Sequence, residues 1–196
     1  MTASREIYLA ALDRLSAVVD AVPVGGWDVP TPCSDWSARQ LLGHLIDGQR
    51  QVQAMATGTD PLPPVTDPAA LECLAGSDPA AAWYGACQHI TRALAGIAPD
   101  TSVASPLGPQ TVDRLLGIAL IEPVVHAWDL ATATGQAADL DPDAVNALLP
   151  GVLALGDQLQ ATGMYQAPIS VPDDVVPRDR LLATLGRHPH TPSTPD

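Results

Sequence analysis

In five stretches of this chain apolar side chains return every third or fourth residue, and proline or glycine bounds each stretch. Packed amphipathic helices satisfy that pattern and alternating strands do not. Ile7, Ala11, Leu12, Leu15, Val18, Val19 and Val22 mark a first helix over 4–22, closed by Pro23 and the Gly25-Gly26 pair. A loop with Pro30 and Pro32 leads to Ser37-Ala38-Arg39-Gln40, a capping box that starts a second helix over 37–56. Residues 57–78 are rich in proline and glycine and read as turns. Asp78-Pro79 then offers an N-cap followed by proline in the first turn, opening a third helix over 79–97. A second turn-rich stretch, 98–110, precedes a fourth helix over 111–134 with Gly135 as its stop. Asp141-Pro142 starts a fifth, ending near Gly163. Beyond it, Ile169-Ser170-Val171 reads as a short extended segment, Arg178 to Leu185 as a short helix, and 188–196 as a disordered tail. The expected fold is all-α: a four-helix bundle with an additional helix and a short C-terminal extension, forming one domain over 1–187.

Composition narrows the partners. Among 196 residues there are 22 acids and 9 bases, for a net charge of −13, and every base is arginine. Without lysine the chain has neither a Schiff-base amine nor a phosphate-loop lysine. An acidic surface does not displace counterions from polyanions, so small molecules are expected in place of nucleic acid or anionic membranes. Arg5, Glu6, Asp13 and Arg14 interrupt the N-terminal apolar pattern too often for a signal peptide, and the most apolar run, Leu115 to Val125, is cut by Glu122 and Pro123. Cys33, Cys73 and Cys87 are odd in number and form no C-x-x-C pair, which fits a reducing cytoplasm.

Three polar residues stand where the helical pattern calls for core. His44 lies within Leu41-Leu42-Gly43-His44-Leu45-Ile46, and Glu122 and His126, four residues apart, share one face of the fourth helix. Each alone suits a hydrogen-bonded core or a wet helix face. Together they are two imidazoles and a carboxylate from two helices, the set that zinc and similar ions favour, with at least one coordination position left open. Asp47 and Asp129, each three residues after a histidine, are candidates to orient the rings. Pro123 deletes a backbone hydrogen bond and predicts a kink beside Glu122. His89 reads as a surface residue, and His188 and His190 as solvated.

The run Thr31-Pro32-Cys33-Ser34-Asp35-Trp36-Ser37-Ala38-Arg39-Gln40-Leu41-Leu42-Gly43-His44-Leu45, followed by Val125-His126-Ala127-Trp128-Asp129-Leu130-Ala131-Thr132-Ala133-Thr134-Gly135, resembles the DinB-like metal-binding superfamily. Within it the chain is most similar to the branch holding the metal-binding domain of mycothiol-dependent maleylpyruvate isomerase, an actinobacterial type. The ending Arg180-Leu181-Leu182-Ala183-Thr184-Leu185-Gly186-Arg187-His188-Pro189 shares the likeness. The resemblance implies a four-helix bundle holding a divalent metal, zinc first and nickel second, through two histidines and a glutamate that match His44, Glu122 and His126. It also implies a thiol-dependent transferase or isomerase, with mycothiol as cosubstrate and a small electrophile as substrate. Arg39, Arg50 and Arg114 are candidates to pair with a carboxylate on either. Two other readings use the same ligands. One is a hydrolase with metal-activated water and Asp47 or Asp129 as general base; the other is a non-catalytic metal-binding or interaction protein, including a homodimer formed through an exposed helix face.

Overall fold

The computed structural model describes residues 4–33, 36–60, 63–106, 108–156 and 165–189, which fall into two compact units, 1–139 and 140–196. The described residues are mainly helical, as the sequence pattern predicts. In the first unit the elements run α1 (Ser4–Asp20), a 3-10 turn (Gly26–Asp28), α2 (Ala38–Thr57), α3 (Pro68–Ala75), α4 (Pro79–Leu94), β1 (Ser102–Val103), β2 (Gln110–Thr111), α5 (Val112–Ala119) and α6 (Ile121–Ala133). The second unit holds α7 (Pro142–Leu155) and α8 (Pro177–Thr184), which pack on each other, and Leu148 and Val152 of the one and Leu181 and Leu182 of the other are buried.

The bundle of the first unit is a closed ring of contacts. Helix α1 touches α4 and α6, and α2 touches the same two. Tyr8, Leu15, Leu41, Leu42, Trp83, Ile90, Leu94, Leu116 and Leu130 are wholly buried within it. Each large apolar side chain removed from water contributes roughly 1.5–3 kcal/mol. Two buried polar pairs fix how the helices face one another. The Tyr8 hydroxyl donates to Gln49 Oε1 at 2.6 Å, joining α1 to α2, and Trp83 Nε1 donates to Ser16 Oγ at 2.9 Å, joining α4 to α1. Ser16 in turn donates its own hydroxyl to the Leu12 carbonyl, so this hydroxyl is not stranded in the core.

Where the structure departs from the sequence pattern, the causes are local. The turn-rich stretch 57–78 contains α3, capped by the Asp67 side chain on the Ala70 N–H with Pro68 in the first turn. Proline density around it hid the same Asp-Pro start that opens α4 and α7. The stretch 98–110 contributes a two-residue antiparallel pairing, Ser102 opposite Thr111 and Val103 opposite Gln110, too short to carry an alternating pattern. The fourth helix is two, broken at Leu120. Pro123 has no N–H to give the Ala119 carbonyl four residues back, and its ring crowds that carbonyl, so the break falls where the lost bond would have been. Residues 166–172 have no regular structure, although the Ile169 N–H donates to the Ala183 carbonyl. The end of the fifth helix beyond Gly156, and the tail from 190, lie outside the described residues.

Taken together α5 and α6 reach 22 residues, Val112–Ala133, long and apolar enough to match a bilayer by length and composition. Two thirds of their most apolar window is buried in protein, against α1 and α2. Core packing uses that apolarity.

Burial also sets thiol reactivity. Desolvation pushes the Cys87 thiol on α4 up to about 12, with a hydrogen bond to Ser16 only partly opposing it, whereas Cys73 on α3 is exposed. At pH 8 the thiolate fraction at Cys87 is then on the order of 1 in 10,000. Alkylation of the folded protein followed by peptide mapping should label Cys73 promptly and Cys87 only after unfolding. Equal labelling rates would contradict the burial described.

Candidate metal centre

Two helix starts aim the site. The Ser37 side chain accepts from the Gln40 N–H while Gln40 Oε1 accepts from the Ser37 N–H at 2.9 Å, so the capping box fixes where α2 begins and hence its phase. With Leu41 and Leu45 turned fully inward, His44 emerges at the edge of the core, its side chain 28% exposed. On α6, Glu122 is the second residue after the break at Leu120 and sits just before Pro123. The kink expected from Pro123 therefore lies N-terminal to Glu122, and the helix runs on unbroken to His126 one turn later.

The three side chains meet. His44 Nε2 lies 2.9 Å from Glu122 Oε2, and His126 Nε2 lies 3.2 Å from the same oxygen. The imidazole rings stand edge to face with centroids 5.4 Å apart. Trp36 covers the other side of His44, its ring 4.6 Å away and tilted by 33°. Trp36 is not among the residues that the helical pattern singles out. The signal was its position just ahead of the capping box, in a loop that Thr31 folds by donating its hydroxyl to the carbonyls of Cys33 and Trp36.

Behind His126, Asp129 is completely buried and its Oδ2 lies 2.9 Å from Nδ1. A carboxylate there holds the proton on Nδ1 and turns the Nε2 lone pair toward Glu122 and His44, the usual support for a metal-binding imidazole. Asp47 does not do the same for His44: it accepts from the Val65 N–H at 3.0 Å and so pins the chain ahead of α3. As general bases, then, neither aspartate faces the Nε2 cluster. Of the three candidate arginines, one has a defined partner away from the cluster. Arg39 donates to the Gly76 carbonyl at 2.7 Å, and Arg50 and Arg114 are exposed. His89 is exposed, as expected.

Cys33 approaches the His126 ring from its other edge. Its Sγ is 3.2 Å from Asp129 Oδ2 and 3.7 Å from His126 Nδ1, on the far edge of the ring from Glu122. It therefore belongs to a separate cluster and does not complete the His44, Glu122 and His126 set.

The electrostatics are those of a tightly held charge. Burial works to raise the Glu122 carboxyl, but hydrogen bonds and charge from His126 and His44 override it and hold the group well below the usual carboxylate range. Burial likewise works to lower His126, and Asp129, Cys33 and Glu122 together push it well above its ordinary value. Both shifts favour the cationic form of the ring between its two carboxylates in the metal-free site. A divalent ion at the Nε2 cluster would replace that proton's charge and satisfy the same carboxylate.

Residues 8–131 match the family model described as the mycothiol maleylpyruvate isomerase N-terminal domain. Two uncharacterized proteins of Mycobacterium tuberculosis, from strains CDC 1551 and H37Rv, are each 34% identical to the chain over 179 residues, covering 90% of it and 92% of the relative. Among solved structures, a histidine-to-alanine variant of mycothiol-dependent maleylpyruvate isomerase superposes with a TM-score of 0.58 over 86% of this chain and 78% of that one. At 14% identity that likeness establishes the fold.

Proposed function

The chain belongs to the mycothiol maleylpyruvate isomerase N-terminal domain family, and from that premise we propose that it holds one divalent cation through His44, Glu122 and His126 and serves a thiol-dependent transfer or isomerisation. Zinc is the first choice of cation and nickel the second. The observation that carries this reading is the convergence of two imidazole Nε2 atoms on one carboxylate oxygen at 2.9 and 3.2 Å, a His2Glu donor set that suits such ions and leaves a coordination position open.

When bound, the cation supplies a Lewis acid that favours the thiolate form of a coordinated thiol. The chain's own residues do the rest. Asp129 keeps the His126 proton on Nδ1, so that Nε2 is a donor toward the site. Trp36 lies along His44, limits its rotation and offers an apolar wall to a small substrate. Glu122 and His44 are each about a quarter exposed, which leaves the cluster reachable from solvent. Mycothiol as the thiol, a small electrophile as the second substrate and a reducing cytoplasm that keeps the cysteines as thiols complete the proposal.

A cobalt-substituted Cys33→Ser protein tests it, because that substitution removes the cysteine sulfur beside His126, so that a sulfur band reports the added thiol. Titration with a small thiol should raise a saturable sulfur-to-cobalt charge-transfer band, and His44→Ala in the same background should abolish it. A spectrum indifferent to thiol would exclude the thiol-dependent reading.

A further inference from the structure

His126 has two ring nitrogens, and the site described above uses one. The other faces a second group of donors. Cys33 Sγ, His126 Nδ1 and Asp129 Oδ2 lie 3.7, 2.9 and 3.2 Å from one another, taken pairwise. With metal bonds of roughly 2.0–2.3 Å to nitrogen, oxygen and sulfur, the edges of a tetrahedral coordination shell are about 3.3–3.6 Å long. Shifts of a few tenths of an ångström would bring the three atoms onto one ion. We infer that Cys33, His126 and Asp129 form a second cation station, on the Nδ1 edge of the His126 ring, suited to a soft, sulfur-seeking ion.

The three donors are positioned before any ion arrives. His126 and Asp129 are three residues apart on α6, their side chains 10% and 0% exposed, so the helix and the core hold both. Cys33 sits in the loop that Thr31 ties together, and its partial exposure gives an ion a way in. Hydrogen bonding fills the same contacts while the station is empty, the thiol donating to Asp129. A thiol is a weak donor to a buried carboxylate, however, whereas its thiolate is a strong ligand for soft cations, so the exchange favours such an ion. The Sγ and Nδ1 protons leave to solvent as the ion binds. The two stations share one imidazole, and filling both would require the doubly deprotonated ring. They therefore exclude each other: a soft cation on the Nδ1 edge expels the ion held on the Nε2 edge.

Cadmium tests this without any thiol cosubstrate and independently of the proposed function, since His44→Ala disables the first station and leaves the second. Both wild-type and His44→Ala proteins should develop a thiolate-to-cadmium absorption in the ultraviolet that saturates at one ion per chain. Cys33→Ser should lose it, while Cys73→Ser and Cys87→Ser keep it. Should Cys33→Ser fold poorly, cadmium-113 resonance on the wild-type chain must still show a sulfur-ligated ion, and zinc-loaded protein must release one zinc for each cadmium taken up. A band that survives Cys33→Ser, a wild-type chain without one, or a band that vanishes in folded His44→Ala would overturn the inference.

Discussion

Gly43→Ala is expected to lower the melting temperature by roughly 4–8 °C, although alanine is the better helix former. A Cβ at residue 43 would lie 2.1 Å from the Leu71 carbonyl oxygen and 2.6 Å from its carbon. Both are backbone atoms of α3 and cannot rotate away, so α3 must lift off α2 or α2 must bend next to His44. Overpacking of this kind costs about 3 kcal/mol at the upper end of its usual range. The gain in helix propensity returns about 1 kcal/mol. The net loss of about 2 kcal/mol, in a chain of this size, gives the shift stated. Gly48, in the same helix, is the control. A Cβ there meets nothing within 4 Å, so Gly48→Ala should hold or raise the melting temperature. If Gly43→Ala melts at or above the wild type, α2 and α3 are not packed as described.

The second large effect is on metal affinity. Asp129→Asn should weaken binding about 10–100-fold, the usual effect of losing a carboxylate behind a metal-binding histidine. His126→Ala removes a donor itself and should weaken binding further. Stability must be read as a difference, because His126→Ala also leaves the buried Asp129 carboxylate without its Nδ1 partner and destabilises the metal-free protein in its own right. Bound metal contributes about 4 kcal/mol of stability at a thousandfold excess over its dissociation constant. Chelator should therefore lower the wild-type melting temperature by several degrees and leave that of His126→Ala almost unmoved. An equal chelator response in both would make His126 a core histidine.

Much of this architecture is written in the sequence because its signals are local. The capping box at Ser37 and the Asp-Pro starts at residues 78 and 141 act within one helical turn, and the apolar stripes behind them choose the buried face without reference to distant residues. The signal at Asp67-Pro68 is just as local, but it sits among turn formers and opens a helix of only eight residues. The kink is legible as a consequence of Pro123, whereas the direction in which it sends Glu122 depends on packing of α6 against α1 and α2. The same limit applies to the site. That His44, Glu122 and His126 face the core follows from periodicity. That Trp36 covers one ring and Cys33 and Asp129 back the other depends on how a proline-bearing loop folds over α6, which no spacing encodes. Asp47 shows the converse, since its three-residue offset from His44 equals that of Asp129 from His126, yet its carboxylate serves the Val65 N–H.

The most direct measurement is elemental analysis of protein purified without a histidine tag, before and after incubation with zinc. The proposed site predicts close to one divalent ion per chain, lost when His44→Ala and Glu122→Gln are combined in the Cys33→Ser background. Protein that carries no metal, and takes up none when zinc is supplied, would contradict it.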